Sequence, residues 1–253
     1  MNSQIATHLR NKLHSNAIGI FTKTNDSSII EAAAISNIDF LILDMEHSST
    51  SQSTIVNHIR SASLHSCPTI VRVTGVDSNE IGTALDSGAT GVQVPNISTA
   101  EEAQNAVNAA RFHPIGNRGV CRFVRSAQYG AMNKKLYFEE SNKNLLILQV
   151  EGELGIENLD KILAVDGYDV LFIGPYDLSQ SIGDPGNLES PKLLELIANV
   201  IKKSKDAGKF VGLFTDSNQM LLNYKKIGVN YMTYSVDMDI LRASLDKIVE
   251  DYR

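Results

Sequence analysis

Cysteine is scarce in this chain: 253 residues hold two, Cys67 and Cys121. They share no short spacing with each other or with a histidine pair. That argues against a zinc site or a disulfide framework and makes a reducing cytoplasm the default compartment. Long apolar runs are missing too, none approaching the roughly 20 residues that a membrane span needs. The polar opening segment, with Ile5, Ala6, Leu9 and Leu13 at helical spacing, reads as a short covering helix and not as a signal peptide. Nor is there an excess of positive charge. Lys plus Arg number 23 against 29 Asp plus Glu, a formal net charge of −6, which leaves no electrostatic footprint for DNA or RNA. Finally, no glycine-rich dinucleotide turn follows an early strand. The first apolar run leads into Thr22-Lys23-Thr24-Asn25-Asp26.

What is present is alternation. Short β-rich runs occur at Ala17–Phe21, Asp39–Leu43, Thr69–Val73, Gly91–Val94, Leu145–Val150, Val170–Ile173, Phe210–Phe214 and Asn230–Tyr234. Between and after them, helical periodicity marks 27–36, 52–65, 78–87, 99–111, 156–164, 191–207, 217–226 and 238–251. Helix starts carry caps at Ser98-Thr99 before Ala100-Glu101-Glu102 and at Ser190-Pro191, with proline in the first turn. Gly88, Gly208 and Gly228 follow helices where a left-handed residue is wanted. Eight near-continuous apolar strands imply a parallel sheet covered on both faces. The length matches the roughly 250 residues typical of one closed barrel. The expected fold is therefore an α/β (β/α)8 TIM barrel with an N-terminal covering helix, filling 1–253 as one domain. A doubly wound open sheet is the rival, and it lacks its Gly-rich turn. Two connections are long, 112–144, with a helical piece near Ala127–Leu136, and 174–190. In a barrel such insertions usually lie over the active site.

Polar residues interrupt these strands where only apolar ones should stand. The run Phe40-Leu41-Ile42-Leu43 ends in Asp44-Met45-Glu46-His47, and burying such groups is costly unless they are paired or used. Strand alternation puts Arg72 on the face opposite Val71 and Val73, and Gln93 opposite Val92 and Val94. Gln149 and Glu151 share a face with Ile147. The economical reading is that they converge at the top of the barrel interior. Plainer readings stand beside it: Arg72 with Glu151 as a structural ion pair, and Gln93 as a satisfied core amide. The sixth strand ends in Gly174-Pro175-Tyr176-Asp177-Leu178-Ser179, so Glu151 and Asp177 come from adjacent strands. Two carboxylates without cysteine or a histidine pair suit a hard cation, Mg2+ or Mn2+. Without one they would repel, and one would hold its proton more tightly.

A Schiff-base aldolase needs a lysine near the end of a central strand, and Lys143, Lys161 and Lys209 are not so placed. The loops after strands seven and eight, Thr215-Asp216-Ser217 and Ser235-Val236-Asp237, are acidic and lack glycine, which disfavours phosphorylated substrates. Nothing calls for flavin, nicotinamide or pyridoxal phosphate.

The set Leu43-Asp44-Met45-Glu46-His47, Val71-Arg72-Val73, Val92-Gln93-Val94-Pro95, Arg118-Gly119, Tyr129-Gly130, Gln149-Val150-Glu151 and Gly174-Pro175-Tyr176-Asp177-Leu178-Ser179 resembles, in order, the class II pyruvate aldolases. These are the hydroxy-oxo-heptanedioate aldolase type, a group that includes dehydro-deoxy-glucarate aldolase and macrophomate synthase. The resemblance covers nearly the whole chain. It implies that Glu151 and Asp177 hold a divalent metal chelated by a 2-oxo acid such as pyruvate or oxaloacetate. It further implies that Gln149 lies near the metal and that backbone amides around Tyr176 and Asp177, beside Gly174, cradle the carboxylate. Arg72 would bind the keto or enolate oxygen, and His47, oriented by Asp44, would act as acid/base through a water. It also implies a homo-oligomer, a hexamer, with the helix at 238–251 exchanged between subunits. The sequence departs from the pattern at bulky Tyr176, at Thr74 where proline is common, at Gly152-Glu153, and in lacking tryptophan near Phe21. These departures surround the substrate pocket. They keep open a siderophore-pathway citrate synthase joining oxaloacetate to acetyl-CoA, and, in another class, a non-catalytic oxo-acid-binding barrel.

Overall fold

Beta-branched and leucine-rich runs form eight parallel strands that close on themselves in sequence order, β1 pairing with β8. A computed structural model describes residues 2–253. Its elements run α1 (Asn2–Leu13), β1 (Ala17–Thr22), α2 (Ser27–Ile35), β2 (Phe40–Asp44), α3 (Gln52–Leu64), β3 (Thr69–Arg72) and α4 (Ser78–Asp86). They continue through β4 (Gly91–Val94), α5 (Ala100–Ala110), α6 (Lys134–Ser141), β5 (Leu145–Val150), α7 (Glu153–Glu157), α8 (Leu159–Leu163) and β6 (Val170–Ile173). The rest are α9 (Pro175–Ser181), α10 (Pro191–Asp206), β7 (Phe210–Thr215), α11 (Asn218–Ile227), β8 (Tyr231–Val236) and α12 (Asp237–Tyr252). The expected (β/α)8 barrel is the fold.

Period-two alternation divides the core in two. Leu41, Leu43, Val71, Val92, Val94, Leu146, Leu148 and Val150 face outward into the shell of helices. Phe40, Ile42, Ile70, Ile147, Val170, Phe172 and Tyr231 fill the barrel interior. Ala6, Leu9 and Leu13 of α1 join this inner cluster, so the helix expected to cover the chain's start closes one end of the barrel. The other end is left to the polar residues.

Local chemistry sets most boundaries. Thr99 and Glu102 form a reciprocal capping box at α5. Gly228 ends α11 at φ 88°, a conformation glycine adopts without a Cβ penalty. Pro191 occupies the first turn of α10, but Ser190 makes no side-chain cap bond, contrary to expectation. The helix expected at 156–164 is two short helices, because Asn158 leaves helical geometry and donates to the Ser98 carbonyl at 3.1 Å. The piece expected near Ala127–Leu136 is also displaced. Gln128 and Tyr129 adopt φ of 52° and 53°, so a short 3-10 turn at Arg125–Gly130 precedes α6.

Candidate active site

β2 ends on Asp44, fully buried, and its Cα partner on β3 is Arg72. Because the residues are in register and both point inward, the guanidinium meets the carboxylate as a fork, Nε to Oδ1 at 2.9 Å and Nη2 to Oδ2 at 2.8 Å. Asp44 Oδ1 also accepts the backbone N–H groups of Glu46 (3.0 Å) and His47 (3.3 Å). Burial pushes the Asp44 carboxyl up, and Arg72 with those amides outweighs it, leaving the group below its ordinary value. Asp44 therefore holds His47 through its backbone N–H. The imidazole is mostly exposed, its Nε2 3.8 Å from Glu46 Oε2. Arg72 Nη1 lies 3.0 Å from Glu46 Oε2. The structural pairing weighed from sequence, Arg72 with Glu151, does not form; Arg72 pairs with Asp44 and Glu46.

On the opposite wall β5 delivers Gln149 and, one residue past the strand's end, Glu151. Glu151 Oε2 accepts from Gln149 Nε2 at 2.5 Å and Oε1 from the Asn96 N–H at 2.8 Å. Gln149 Oε1 in turn accepts from Gln93 Nε2. Gln93 is fully buried and lines neither cavity at the barrel mouth; its Nε2 props Gln149, but its Oε1 has no hydrogen-bond partner among the described residues, so it is not the satisfied core amide weighed from sequence. After β6 the chain turns at Gly174, which caps α9 without a side chain, and Asp177 emerges in the first turn. Glu151 and Asp177 line one cavity of about 190 Å³ with Glu46, His47, Asn96, Ser98 and Gly152. A second cavity of about 200 Å³ adjoins it through His47 and Asp177. Its polar lining includes Lys23, Arg72 and Gln149, and its apolar wall Phe21, Phe172, Phe214 and Val236. Gly174 and Tyr176 also line it. His47, Arg72, Gln149, Glu151, Gly174, Tyr176 and Asp177 line these two cavities, with Asp44 beneath Arg72, whereas Gln93 and Arg118 do not. A larger surface hollow of about 760 Å³ lies beside α4 and α5, where buried Arg118 pairs with Asp86. It shares no lining residue with either cavity at the barrel mouth.

Residues 17–242 match the HpcH/HpaI aldolase/citrate lyase family. The chain belongs to that family. A 2-keto-3-deoxy-L-rhamnonate aldolase from Klebsiella pneumoniae subsp. pneumoniae is 34% identical over 232 residues, covering 91% of this chain and 86% of the relative. An HpcH/HpaI aldolase/citrate lyase family protein from Burkholderia cenocepacia J2315 superposes with a TM-score of 0.90 at 30% identity, over 97% of this chain and 99% of the other. Citrate synthase SbnG superposes with a TM-score of 0.85 at 26% identity, over 96% of each. The chain is an enzyme of the aldolase type, a carbon–carbon lyase. Among the described residues, no helix is long and apolar enough to cross a membrane.

HpcH/HpaI aldolases generally depend on a divalent metal, and the donor set here fits one. Burial first, and then the charges of Asp177 and Glu46, push the Glu151 carboxyl up to about 7 against two hydrogen bonds that lower it. Burial first, with Asp44 and Asp177 adding to it, also raises Glu46. Three carboxylates that repel one another at a barrel mouth are what a hard cation relieves. A Cβ on Gly174 would stand 2.6 Å from Glu151 Oε2, so glycine keeps that oxygen's surroundings open. Among the described residues, no three His, Cys, Asp or Glu side chains enclose a metal by themselves. The fit is thus to an open site of two carboxylates completed by substrate and water.

Four residues at or beside this barrel mouth are not singled out as site residues by the sequence pattern. Asn96 holds Glu151 through its N–H and Glu46 through its side chain at 3.0 Å. Its φ of 59° is a conformation that asparagine tolerates, and its place just after Pro95 was the available signal. Asp216 accepts from the Tyr176 hydroxyl at 2.6 Å, and that bond, with burial, pushes the phenol up to about 12. Asp237 accepts the N–H groups of Lys23 and Thr24 at 3.1–3.2 Å. Both acidic loop residues therefore clasp the protein itself. Lys23, just past β1, reaches the cavity, a lysine at a strand end that the survey of lysines missed.

Proposed function

We propose that this chain is a divalent-metal-dependent aldolase that makes or breaks a carbon–carbon bond through the enolate of a 2-oxo acid, pyruvate or oxaloacetate. One observation carries the reading: Glu151 and Asp177 line one cavity with His47, beside the forked Arg72–Asp44 pair. Glu151 and Asp177 would hold Mg2+ or Mn2+, which when bound supplies a Lewis acid for the keto oxygen. Gln149 fixes the Glu151 carboxylate. The Gly174–Asp177 turn, with Tyr176, receives the substrate carboxylate. Arg72, held rigid by Asp44, donates to the keto oxygen as charge develops on it. His47 moves the proton at the hydroxyl that becomes the aldehyde in cleavage, directly or through one water.

The test is cleavage of a 4-hydroxy-2-oxo acid, followed as pyruvate released, before and after chelation and in Glu151→Ala. Full activity in the chelated variant sinks the reading. Borohydride added with pyruvate should leave no adduct on Lys23; an adduct would put the chemistry on a Schiff base. Likeness to citrate synthase SbnG supports a second reading, condensation of oxaloacetate with acetyl-CoA, which requires release of free CoA. A non-catalytic barrel would bind pyruvate without exchanging its methyl protons. The sequence resemblance supports a homo-oligomer, a hexamer in which α12 of one barrel packs on its neighbour, and the scarcity of cysteine supports a cytoplasmic location. Small oxo acids, and no nucleic acid or membrane, would be its partners.

A further inference from the structure

We propose that Gln93, sealed in the barrel core, is a positioning residue that orients the Gln149 amide and through it holds Glu151 in the pose that takes a divalent cation. The inference rests on the metal-dependent reading above. It adds a residue that the site requires but that touches neither cation nor substrate.

The direction of the hydrogen bonds comes first. A glutamine amide has an accepting end and a donating end of nearly the same shape, so packing alone does not tell them apart. Gln149 lies between Gln93 and Glu151. Its Oε1 accepts from Gln93 Nε2 at 2.5 Å, and its Nε2 donates to Glu151 Oε2 at 2.5 Å. A half-turn of that amide would set its oxygen against the carboxylate and its nitrogen against the Gln93 donor. Both contacts would become repulsive, so Gln93 and Glu151 together specify one orientation. Hydrogen bonds joined in such a chain polarise and strengthen one another.

Burial of Gln93 carries a cost that packing does not explain. The side chain is fully buried, and its Oε1 has no hydrogen-bond partner among the described residues. An idle buried carbonyl destabilises the fold, whereas an apolar side chain of similar size would fill the place without that penalty. Its neighbours give the amide no other use. The Cα partners of Gln93 are Arg72 on β3 and Ile147 on β5, and Arg72 directs its guanidinium to Asp44 and Glu46. A local cost kept in this way belongs with function.

Glu151 needs the support. It stands one residue past the end of β5, where Asp177 and Glu46 repel it. Its Oε1 takes a backbone donor, the Asn96 N–H at 2.8 Å, and Gln149 supplies the side-chain donor to Oε2. Gln149 itself borders an open cavity, so its amide is free to turn outward unless its oxygen is held from behind. Gln93 holds it there.

The experiment reads metal affinity without turnover, by titrating Mn2+ into the metal-free protein under paramagnetic resonance. Gln93→Met, similar in length and without N–H or C=O groups, weakens Mn2+ binding roughly 10- to 100-fold, the usual effect of removing the support of a ligand. Gln93→Leu does the same. Thermal unfolding of the metal-free variants stays in place or rises, since the idle carbonyl is gone. In a Gln149→Met background, Gln93→Met changes Mn2+ affinity no further, because the two amides act as one unit. Unchanged Mn2+ affinity in Gln93→Met, with or without a lower unfolding temperature, makes Gln93 a structural amide and overturns the proposal. So does a loss that adds in full to that of Gln149→Met. A wild type that binds no Mn2+ overturns the metal-dependent reading itself, a result distinct from a wild type and variants that bind it equally well.

Discussion

Asp44 and Arg72 are Cα partners across β2 and β3 and meet as a two-bond fork inside the barrel, the carboxylate fully buried. The pair does two jobs. It settles two charges that the interior would not tolerate singly, and it fixes the guanidinium that faces the cavity at the barrel mouth. Removing one partner strands the other. Arg72→Ala should lower unfolding free energy by about 3–5 kcal/mol, measured by urea denaturation. Arg72→Lys keeps the charge but not the fork, so it should cost roughly 10²–10³ in kcat. A lysine variant with normal turnover would remove Arg72 from the chemistry.

Acid should expose the same pair. The Asp44 carboxyl sits below its ordinary 3.8 in the folded chain, so the unfolded chain takes up its proton first as pH falls. The stabilisation is fully present above that ordinary value and is lost as pH drops through the lower folded one. The stability gap between wild type and Asp44→Asn should thus be constant near neutrality and narrow below about pH 4. Unfolding curves from pH 6 to pH 3 check this; a gap independent of pH contradicts it.

How far the sequence reaches is visible in these residues. The inward direction of Arg72, Gln93 and Gln149 follows from period-two alternation, since each sits between residues that pack outward, and Glu151 continues the face of Gln149 one residue past the strand. Their partners do not follow. Choosing Asp44 over Glu151 for Arg72 depends on strand register, which no local pattern encodes. Asn158 splitting a helix and Gln128-Tyr129 turning left-handed depend on distant carbonyls and loop geometry in the same way. Lys23 is invisible for another reason: a lysine in a polar loop is ordinary, and only closure of the barrel brings it to the cavity.

Gly174 tests the proposed metal site without itself being a proposed ligand. A methyl there would stand 2.6 Å from Glu151 Oε2 and 2.8 Å from Glu151 Cβ. The second contact cannot be relieved by rotating the carboxylate alone, so Gly174→Ala should displace Glu151 while the barrel stays folded. Mn2+ affinity, read by titration under paramagnetic resonance, should fall about 10- to 100-fold, the usual range when a ligand loses its support. Thermal unfolding without metal should shift little. Unchanged Mn2+ binding would mean that Glu151 is not a ligand.

Leu241, Leu245, Ile248 and Tyr252 recur at helical spacing along α12, and each is more than half exposed. The start of that helix is tied down, by Asp237 against the Lys23 loop and by Asp239, which accepts from the Ser235 hydroxyl. An apolar stripe of this length on an isolated chain invites burial against a partner. A second copy of this chain is the partner that the proposed exchange supplies, and in a closed assembly each stripe is covered once per subunit. Sedimentation velocity should therefore find the wild type as an oligomer, and the pair Leu245→Glu with Ile248→Glu should reduce it to smaller species. Because both side chains lie outside the barrel core, the variant should keep its far-ultraviolet circular dichroism. A wild type that sediments as a monomer at micromolar concentration would end the exchange proposal and leave the stripe without an occupant.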